Sequence, residues 1–190
     1  VRAYIIEVKR TSRGPQIMLS RTHPGLLKKL FELQVPEIQE GVVEIRSIAR
    51  EAGSRSKVAV WSSEERVDPI GACVGPHYMR VQAVVDELAG EKIDIVKWSD
   101  DPATYIANSL NPAKLISVAV NEAEKISRVV VPDYQLSLAI GKEGQNARLA
   151  AKLTGWKIDI KSETQAREAE QADGAPTDAP SDDQAAAEEA

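Results

Sequence analysis

Two glycines three residues apart, Gly141 and Gly144, mark the segment of this sequence best suited to grip a ligand. Because glycine has no Cβ atom, its backbone can approach another molecule closely. Apolar residues at helical spacing resume after Gly144, and the free N–H groups at the start of a helix favour a phosphate. Lys142 adds a positive charge between the glycines. We name residues 141–144 the second loop and predict that it holds a phosphate.

The residues around the second loop have side chains that could contact the same ligand. Glu143 lies inside the loop, and the apolar Ile140 precedes it. Gln145, Asn146 and Arg148 follow on the first turn of the next helix, where they offer polar contacts. A Gly-x-x-Gly pattern by itself often marks only a turn, so its position between two predicted helices is what gives it weight.

Those two helices belong to an internal repeat of roughly 65 residues. The tetrapeptide Lys-Ile-Asp-Ile occurs at 92–95 and again at 157–160. Each repeat has the order helix, strand, strand, helix, helix, strand, which predicts a three-stranded sheet with helices on one face. We therefore predict an α+β fold with two small domains, at 23–100 and 101–162.

Two other segments flank the repeats. Apolar runs at 4–8 and 16–20 predict two strands joined by a turn. From 163 to 190 the chain has no large apolar residue and carries nine acidic side chains against one basic. This composition cannot offset the entropy lost on ordering, so we predict a disordered acidic tail. The tail is either a solvated extension or an intramolecular competitor that shields a basic groove.

The Ile-Gly-x-x-Gly sequence between two helices, in the repeat order above, resembles a KH domain of the prokaryotic type, or type II. The tandem pair is similar to that of the NusA family of bacterial transcription elongation and termination factors. The segments that carry this resemblance are 68–75, 98–102 and 135–149. The resemblance covers about residues 1–162, and it implies that 1–22 are the last strands of an OB-type barrel.

The resemblance implies that the chain binds single-stranded nascent RNA in transcription elongation, pausing, termination and antitermination. In KH domains the loop clamps the backbone of about four nucleotides, and the bases turn toward an apolar groove. Carried onto this chain, the RNA-binding residues of the second domain are Ile140, Gly141, Lys142, Glu143, Gly144, Gln145, Asn146 and Arg148.

The corresponding turn of the first domain departs from the KH pattern. Its sequence is Gly75-Pro76-His77-Tyr78, which we name the first loop. Pro76 removes a backbone donor, and Tyr78 places a large side chain where the second loop has glycine. Either this loop has lost or weakened its clamp, or Tyr78 stacks on a base while His77 meets a phosphate. Arg80, on the following helix, is a candidate backbone contact in both cases.

Composition excludes several other classes of function. The single Cys73 rules out a disulfide framework, and no Cys/His spacing is typical of a zinc site. We predict no metal, no cofactor and no catalytic residues, because no nucleophile, acid and base emerge together. No apolar run approaches the roughly 20 residues that span a bilayer. We therefore expect a cytoplasmic protein that does not contact a membrane.

The expected partners follow from the same resemblance. The sequence starts at Val1, within a strand-like run and without an initiator Met, so we expect a fragment of a longer protein. RNA polymerase would contact regions of the full-length protein that are largely absent here, and other transcription factors are possible partners. We expect a monomer. The alternative is a ribosome-associated or protein-interaction module built on KH folds.

Charged residues of the two predicted sheets allow fewer conclusions. Asp94 and Asp159 occupy alternating strands, so we expect both to point to solvent. The basic residues near the first predicted hairpin either extend a basic path for RNA or form a solvated edge. These residues are Arg46, Arg50, Arg55 and Lys57.

Overall fold

The computed structural model describes residues 1–173. An N-terminal hairpin comes first, with strands β1 (Tyr4–Thr11) and β2 (Gly14–Ser20) paired antiparallel, as the two apolar runs predict. The hairpin approaches the rest of the chain where Tyr4 stacks on His23, with ring centroids 4.6 Å apart. His23 also caps the first helix, because its Nδ1 accepts a hydrogen bond from the Gly25 N–H.

The first unit is a three-stranded sheet with helices on one face. Its elements are α1 (Pro24–Gln34), α2 (Pro36–Gln39), β3 (Val43–Glu51), β4 (Arg55–Ser62), α3 (Pro69–Val74), α4 (Met79–Glu87) and β5 (Lys92–Lys97). Strand β3 pairs antiparallel with β4, and β5 pairs parallel with β4, so that β4 is central.

The elements of the second unit are α5 (Pro102–Ser109), β6 (Ser117–Asn121), β7 (Ile126–Val131), α6 (Leu136–Ile140), α7 (Gln145–Thr154) and β8 (Lys157–Ser162). They repeat the topology of the first unit, with β7 between β6 and β8. The strand register also repeats, since Lys57 faces Asp94 in the first sheet as Arg128 faces Asp159 in the second. The predicted pair of three-stranded units is confirmed.

Each unit has an apolar core between its sheet and its own helices. The first core includes Phe31 and Val58, and the second includes Ile106 and Val129, all of them 1% exposed or less. Burying an aliphatic or aromatic side chain of this size contributes about 1.5–3 kcal/mol relative to leaving it exposed. Each sheet thus buries one face within its own unit.

A third cluster joins the two units. Helix α7 packs on β3 and β4 of the first sheet, where its Leu149 and Leu153 meet the small side chains of Ala49 and Ala59. Small residues on the sheet allow the helix to approach closely. The side chains of Ser47 and Tyr105 both donate to the Leu153 carbonyl, at 2.9 and 3.1 Å. Helix α7 therefore covers the face of the first sheet that the helices of the first unit leave open.

The segment after β8 differs from the expected disordered tail. Helix α8 (Glu163–Asp173) follows β8 directly, and only 174–190 of the predicted tail lie outside the described residues. A capping box explains this start, since the Gln165 N–H donates to Ser162 Oγ and the Ser162 N–H donates to Gln165 Oε1. Thr164 also donates to the Asp133 carboxylate. The segment therefore forms a helix despite its polar composition, because specific hydrogen bonds cap the helix N-terminus.

Ion pairs explain the placement of several charged residues in the first sheet. The expectation that Asp94 points to solvent is wrong, because it accepts hydrogen bonds from Arg55 and from Lys57, whose side chain is fully buried. Arg50 belongs neither to an exposed basic path nor to a solvated edge, since its side chain is buried and pairs with Glu91 at 2.9 Å. Asp159, by contrast, is exposed as expected.

The interface formed by α7 predicts a large effect of one core truncation. Leu149→Ala should lower the free energy of unfolding by about 2–5 kcal/mol, because it leaves a cavity between the units. Leu33→Ala is the matched control: Leu33 is 59% exposed, so its truncation should cost no more than ~0.5 kcal/mol. Urea denaturation followed by circular dichroism measures both, and equal small losses would contradict the packing described.

Candidate nucleic-acid interface

The two loops have nearly the same backbone conformation. Gly75 has φ 74° and ψ 171°, and its counterpart Gly141 has φ 77° and ψ 172°. His77 has φ 49° and ψ 34°, where Glu143 has φ 53° and ψ 27°. Both loops connect a short helix to the N-terminus of a longer one. The first loop therefore keeps the shape of the second despite its different sequence.

Tyr78 adopts this shape without glycine. Its φ is 61° and its ψ 14°, against 73° and 13° for Gly144. A left-handed conformation costs a residue with a Cβ atom roughly 1–2 kcal/mol. The side chain is 69% exposed, so burial does not offset this cost. A strained and exposed aromatic residue at this position suggests a function for the ring.

Asn146 lies beneath the second loop and is 6% exposed. Its Nδ2 donates to the carbonyls of Leu110 and Ala139, at 3.1 and 3.0 Å, which ties the ends of α5 and α6 to the start of α7. A Cβ atom on Gly141 would lie 2.8 Å from the backbone nitrogen of Asn146, so glycine is needed there for packing as well. Asn146 thus supports the loop from within.

Arg80 has the equivalent place under the first loop. Its Nη1 donates to the Ala72 carbonyl at 2.6 Å and to Glu37 Oε2 at 2.8 Å. A Cβ atom on Gly75 would lie 2.6 Å from the Arg80 side chain. The guanidinium expected to contact RNA backbone is therefore held by groups of its own unit.

Gln145 and Arg148 connect the second loop to the first unit. Arg148 donates to both carboxylate oxygens of Glu51, at 2.6 and 3.1 Å, and Gln145 donates to Glu51 at 2.8 Å. Arg148 also donates to the Glu143 carbonyl inside the loop, at 3.1 Å. The hydrogen bond from Arg148, followed by that from Gln145, lowers the pKa of Glu51 to about 2. One carboxylate of the first unit thus holds two side chains beside the second loop.

The other predicted residues face outward. Lys142 and Glu143 are exposed at the tip of the second loop, and Pro76 and His77 are exposed in the first. Ile140 is 37% exposed. These side chains are open to a ligand.

A cleft of about 440 Å³ lies between the second loop and the first unit. The first unit contributes Ser54, Arg55 and Lys92 to its lining. The sequence indicates Arg55 only as part of a basic edge, and it gives no sign of Ser54 or Lys92. No local signal could have found them, because they approach the loop through the docking of α7.

Other kinds of site are not evident in the part of the chain that the structure describes. Residues 1–173 contain no group of three or more His, Cys, Asp or Glu side chains that could hold a metal ion. No helix among them is long and apolar enough to cross a membrane. Burial raises the pKa of the Cys73 thiol to about 12, so it is not a reactive nucleophile.

Two α+β units of this topology, each with the helix-loop-helix turn described above, define a tandem KH protein. Residues 21–98 match the family described as the NusA-like first KH domain, and residues 102–168 match the NusA-like second KH domain. The chain belongs to the NusA family, of which it contains the tandem KH region.

Curated relatives agree with this assignment. The chain is 67% identical over 168 residues to the transcription termination/antitermination protein NusA of Halalkalibacterium halodurans, which covers 88% of this chain and 44% of that protein. It is 66% identical to NusA of Bacillus subtilis, over 88% of this chain and 45% of that protein. It is 58% identical to NusA of Mycobacterium tuberculosis, over 86% of this chain and 47% of that protein. The chain thus spans less than half the length of these relatives.

A solved structure supports the fold alone. The protein described as "Crystal structure of APE1850" aligns with a TM-score of 0.51 and 24% sequence identity, over 71% of this chain and 95% of that one.

The contact between Glu51 and Arg148 predicts a titration result. Arg148→Ala should raise the pKa of Glu51 from about 2 toward the ordinary 4.5, because the main stabilising hydrogen bond is lost. In the parent chain the ionised carboxylate should support docking fully above pH 4.5 and lose this effect as the pH falls toward 2. Carbon-detected NMR titration of the Glu51 carboxyl measures its pKa in the parent chain and in the Arg148 variant. Arg167→Ala is the control, which should leave the pKa of Glu51 unchanged.

Proposed function

We propose that this chain binds single-stranded RNA through both KH units and that the full-length protein uses them to hold nascent RNA in transcription elongation, pausing, termination and antitermination. The observation that carries the proposal is the shared conformation of the two loops, each at the start of a longer helix. Free N–H groups at the start of α7 suit a phosphate, and Lys142 adds charge beside them. Membership of the NusA family supports the same role.

The contacts divide the predicted residues by role. Gly141, Lys142, Glu143 and Gly144 form the clamp on the sugar-phosphate backbone, and Ile140 belongs to the floor on which a base rests. In each KH loop the clamp takes about four nucleotides. Four of the other predicted residues are positioning residues, since their side chains already bind protein groups. These are Arg80, Gln145, Asn146 and Arg148.

The other partners concern the full-length protein. RNA polymerase contacts regions that the longer relatives have outside this span, and other transcription factors are further partners. The chain acts as a monomer in the cytoplasm and catalyses no reaction. Strands β1 and β2 are the last strands of an OB-type barrel; apolar side chains such as Ile5 and Leu19, 56% and 59% exposed, support this.

A charge reversal at the second loop tests RNA binding directly. Lys142→Asp with Glu143→Asp should weaken binding of an A-rich single-stranded RNA at least about tenfold, or ~1.4 kcal/mol, because carboxylates would face phosphate. Fluorescence anisotropy at two salt concentrations measures the loss. The matched control is Lys125→Asp with Glu124→Asp, which makes the same charge change in the β6–β7 turn.

The outcomes separate the possible RNA sites. If both double variants bind like the parent chain, the first loop or the hairpin carries the RNA. If the parent chain itself binds no RNA, the proposed function fails and a protein-interaction module replaces it. Thermal melting of each variant checks that the fold is kept.

Tyr78 allows the two interpretations of the first loop to be separated. Tyr78→Gly should raise the free energy of unfolding by about 1 kcal/mol, because it removes backbone strain. If the ring stacks on a base, the same variant should lose ~1–3 kcal/mol of RNA affinity. Tyr78→Phe keeps the ring and should bind normally, whereas Tyr78→Asn should behave like the glycine variant. Unchanged affinity of all three would mean that the ring does not contact RNA.

A further inference from the structure

The second sheet has an open face that corresponds to the face of the first sheet under α7. Along each of its strands, every other side chain points away from the second core and toward this face. Six of these nine residues are exposed and none is buried. We name them the second open face: Ser117, Ala119, Asn121, Ile126, Arg128, Val130, Lys157, Asp159 and Lys161.

The strand register makes the two faces equivalent. Ala119 and Val130 have the places that Ala49 and Ala59 have in the first sheet. Ala49 and Ala59 are 3% and 0% exposed because α7 packs on them, whereas Ala119 is exposed. A shallow groove of about 360 Å³ lies beside Ala119. The chain itself therefore shows that a face of this kind accepts a helix.

The charges of the second open face are mostly positive. Arg128, Lys157 and Lys161 outnumber Asp159, which is its one acidic residue. Lys161 lies 3.9 Å from Asp159, and within residues 1–173 Arg128 and Lys157 form no ion pair. Glu124, which also lines the groove, lies in the β6–β7 turn and outside the sheet. A surface of this charge attracts an acidic partner.

The first sheet binds its helix through the opposite charge. Its Glu51 accepts two hydrogen bonds from Arg148 of α7. In the second sheet Asn121 has the place of Glu51, so a basic helix such as α7 would gain no ion pair there. A helix that packs on the second open face must instead carry acidic residues beside its apolar stripe.

We propose that the second open face docks an acidic amphipathic helix of a partner protein. Apolar residues four positions apart on that helix pack on Ala119 and Val130, as Leu149 and Leu153 pack on the first sheet. Its carboxylates meet Arg128 and the two lysines of β8. The proposal goes beyond RNA binding and does not depend on it, because no residue of this face belongs to either loop.

NMR titration of the whole chain with a synthetic helix tests the proposal. The probe is a peptide that copies residues 145–154 with Arg148→Glu and Lys152→Glu, held helical by a side-chain staple because so short a helix is marginal alone. We expect it to shift the amide signals of β6, β7 and β8. The same stapled peptide with the unchanged basic sequence should bind at least about threefold more weakly, since it loses the ion pairs.

Variants of the face locate the binding. Ala119→Glu should weaken binding of the acidic peptide at least about tenfold, or ~1.4 kcal/mol, because a larger side chain holds the helix away and its carboxylate repels it. Ala123→Glu is the matched control, the same change at an exposed residue of the β6–β7 turn, and should cost less than about twofold. Arg128→Gln should weaken binding about two- to fivefold. Thermal melting checks that each variant keeps its fold.

Several results would overturn the proposal. Absence of shifts, or shifts confined to the loops or the hairpin, would mean that the face takes no acidic helix. Equal losses in the Ala119 and Ala123 variants would mean that only overall charge matters. If single-stranded RNA shifts the amides of this face and the peptide does not, the face is a nucleic-acid surface. A dimer of the parent chain that Ala119→Glu dissociates would make a second copy the occupant. The proposed RNA binding by the two loops survives each of these results.

Discussion

The packing of helix α7 on the first sheet is the constraint on which the rest of the structure depends. One helix serves two cores: Ala150 faces its own unit, while Leu149 and Leu153 fill the open face of the neighbouring sheet. The N-terminus of the same helix carries the second loop. Because the helix is a rigid rod anchored along its length, the loop has a defined place relative to the first unit. Two small domains that could move independently are joined into one surface.

The charges of the first sheet follow from this arrangement. The side chains of Arg50 and Lys57 are buried, each beside a carboxylate, since an unpaired charge could not remain in the interior. Glu51 lies at the edge of the interface and binds Arg148, which in turn holds the Glu143 carbonyl. Several basic residues that the sequence suggests for RNA binding thus stabilise the fold or the interface between the two units. Lys142 and Lys92, by contrast, remain exposed.

The sequence predicts the units well because their signals are local. The repeated Lys-Ile-Asp-Ile strand and the glycines of the second loop are enough to place both sheets and the turn. Residues whose partners lie far along the chain are harder: Arg148 meets Glu51, 97 positions away, so nothing near it shows that it is engaged. Composition also misleads at α8, where the capping box at Ser162 outweighs polar content. At the first loop the sequence differs while the backbone does not: Tyr78 has the left-handed conformation that Gly144 has in the second loop.

Electron–electron double resonance between two spin labels tests the central claim of a rigid tandem most directly. Lys28→Cys on α1 and Glu122→Cys after β6 place the labels at exposed sites away from both loops, and buried Cys73 stays unlabelled. We predict one narrow distance distribution that RNA leaves unchanged. A broad distribution that narrows only when RNA is added would contradict the claim, because the two units would then be joined by the ligand and not by helix α7.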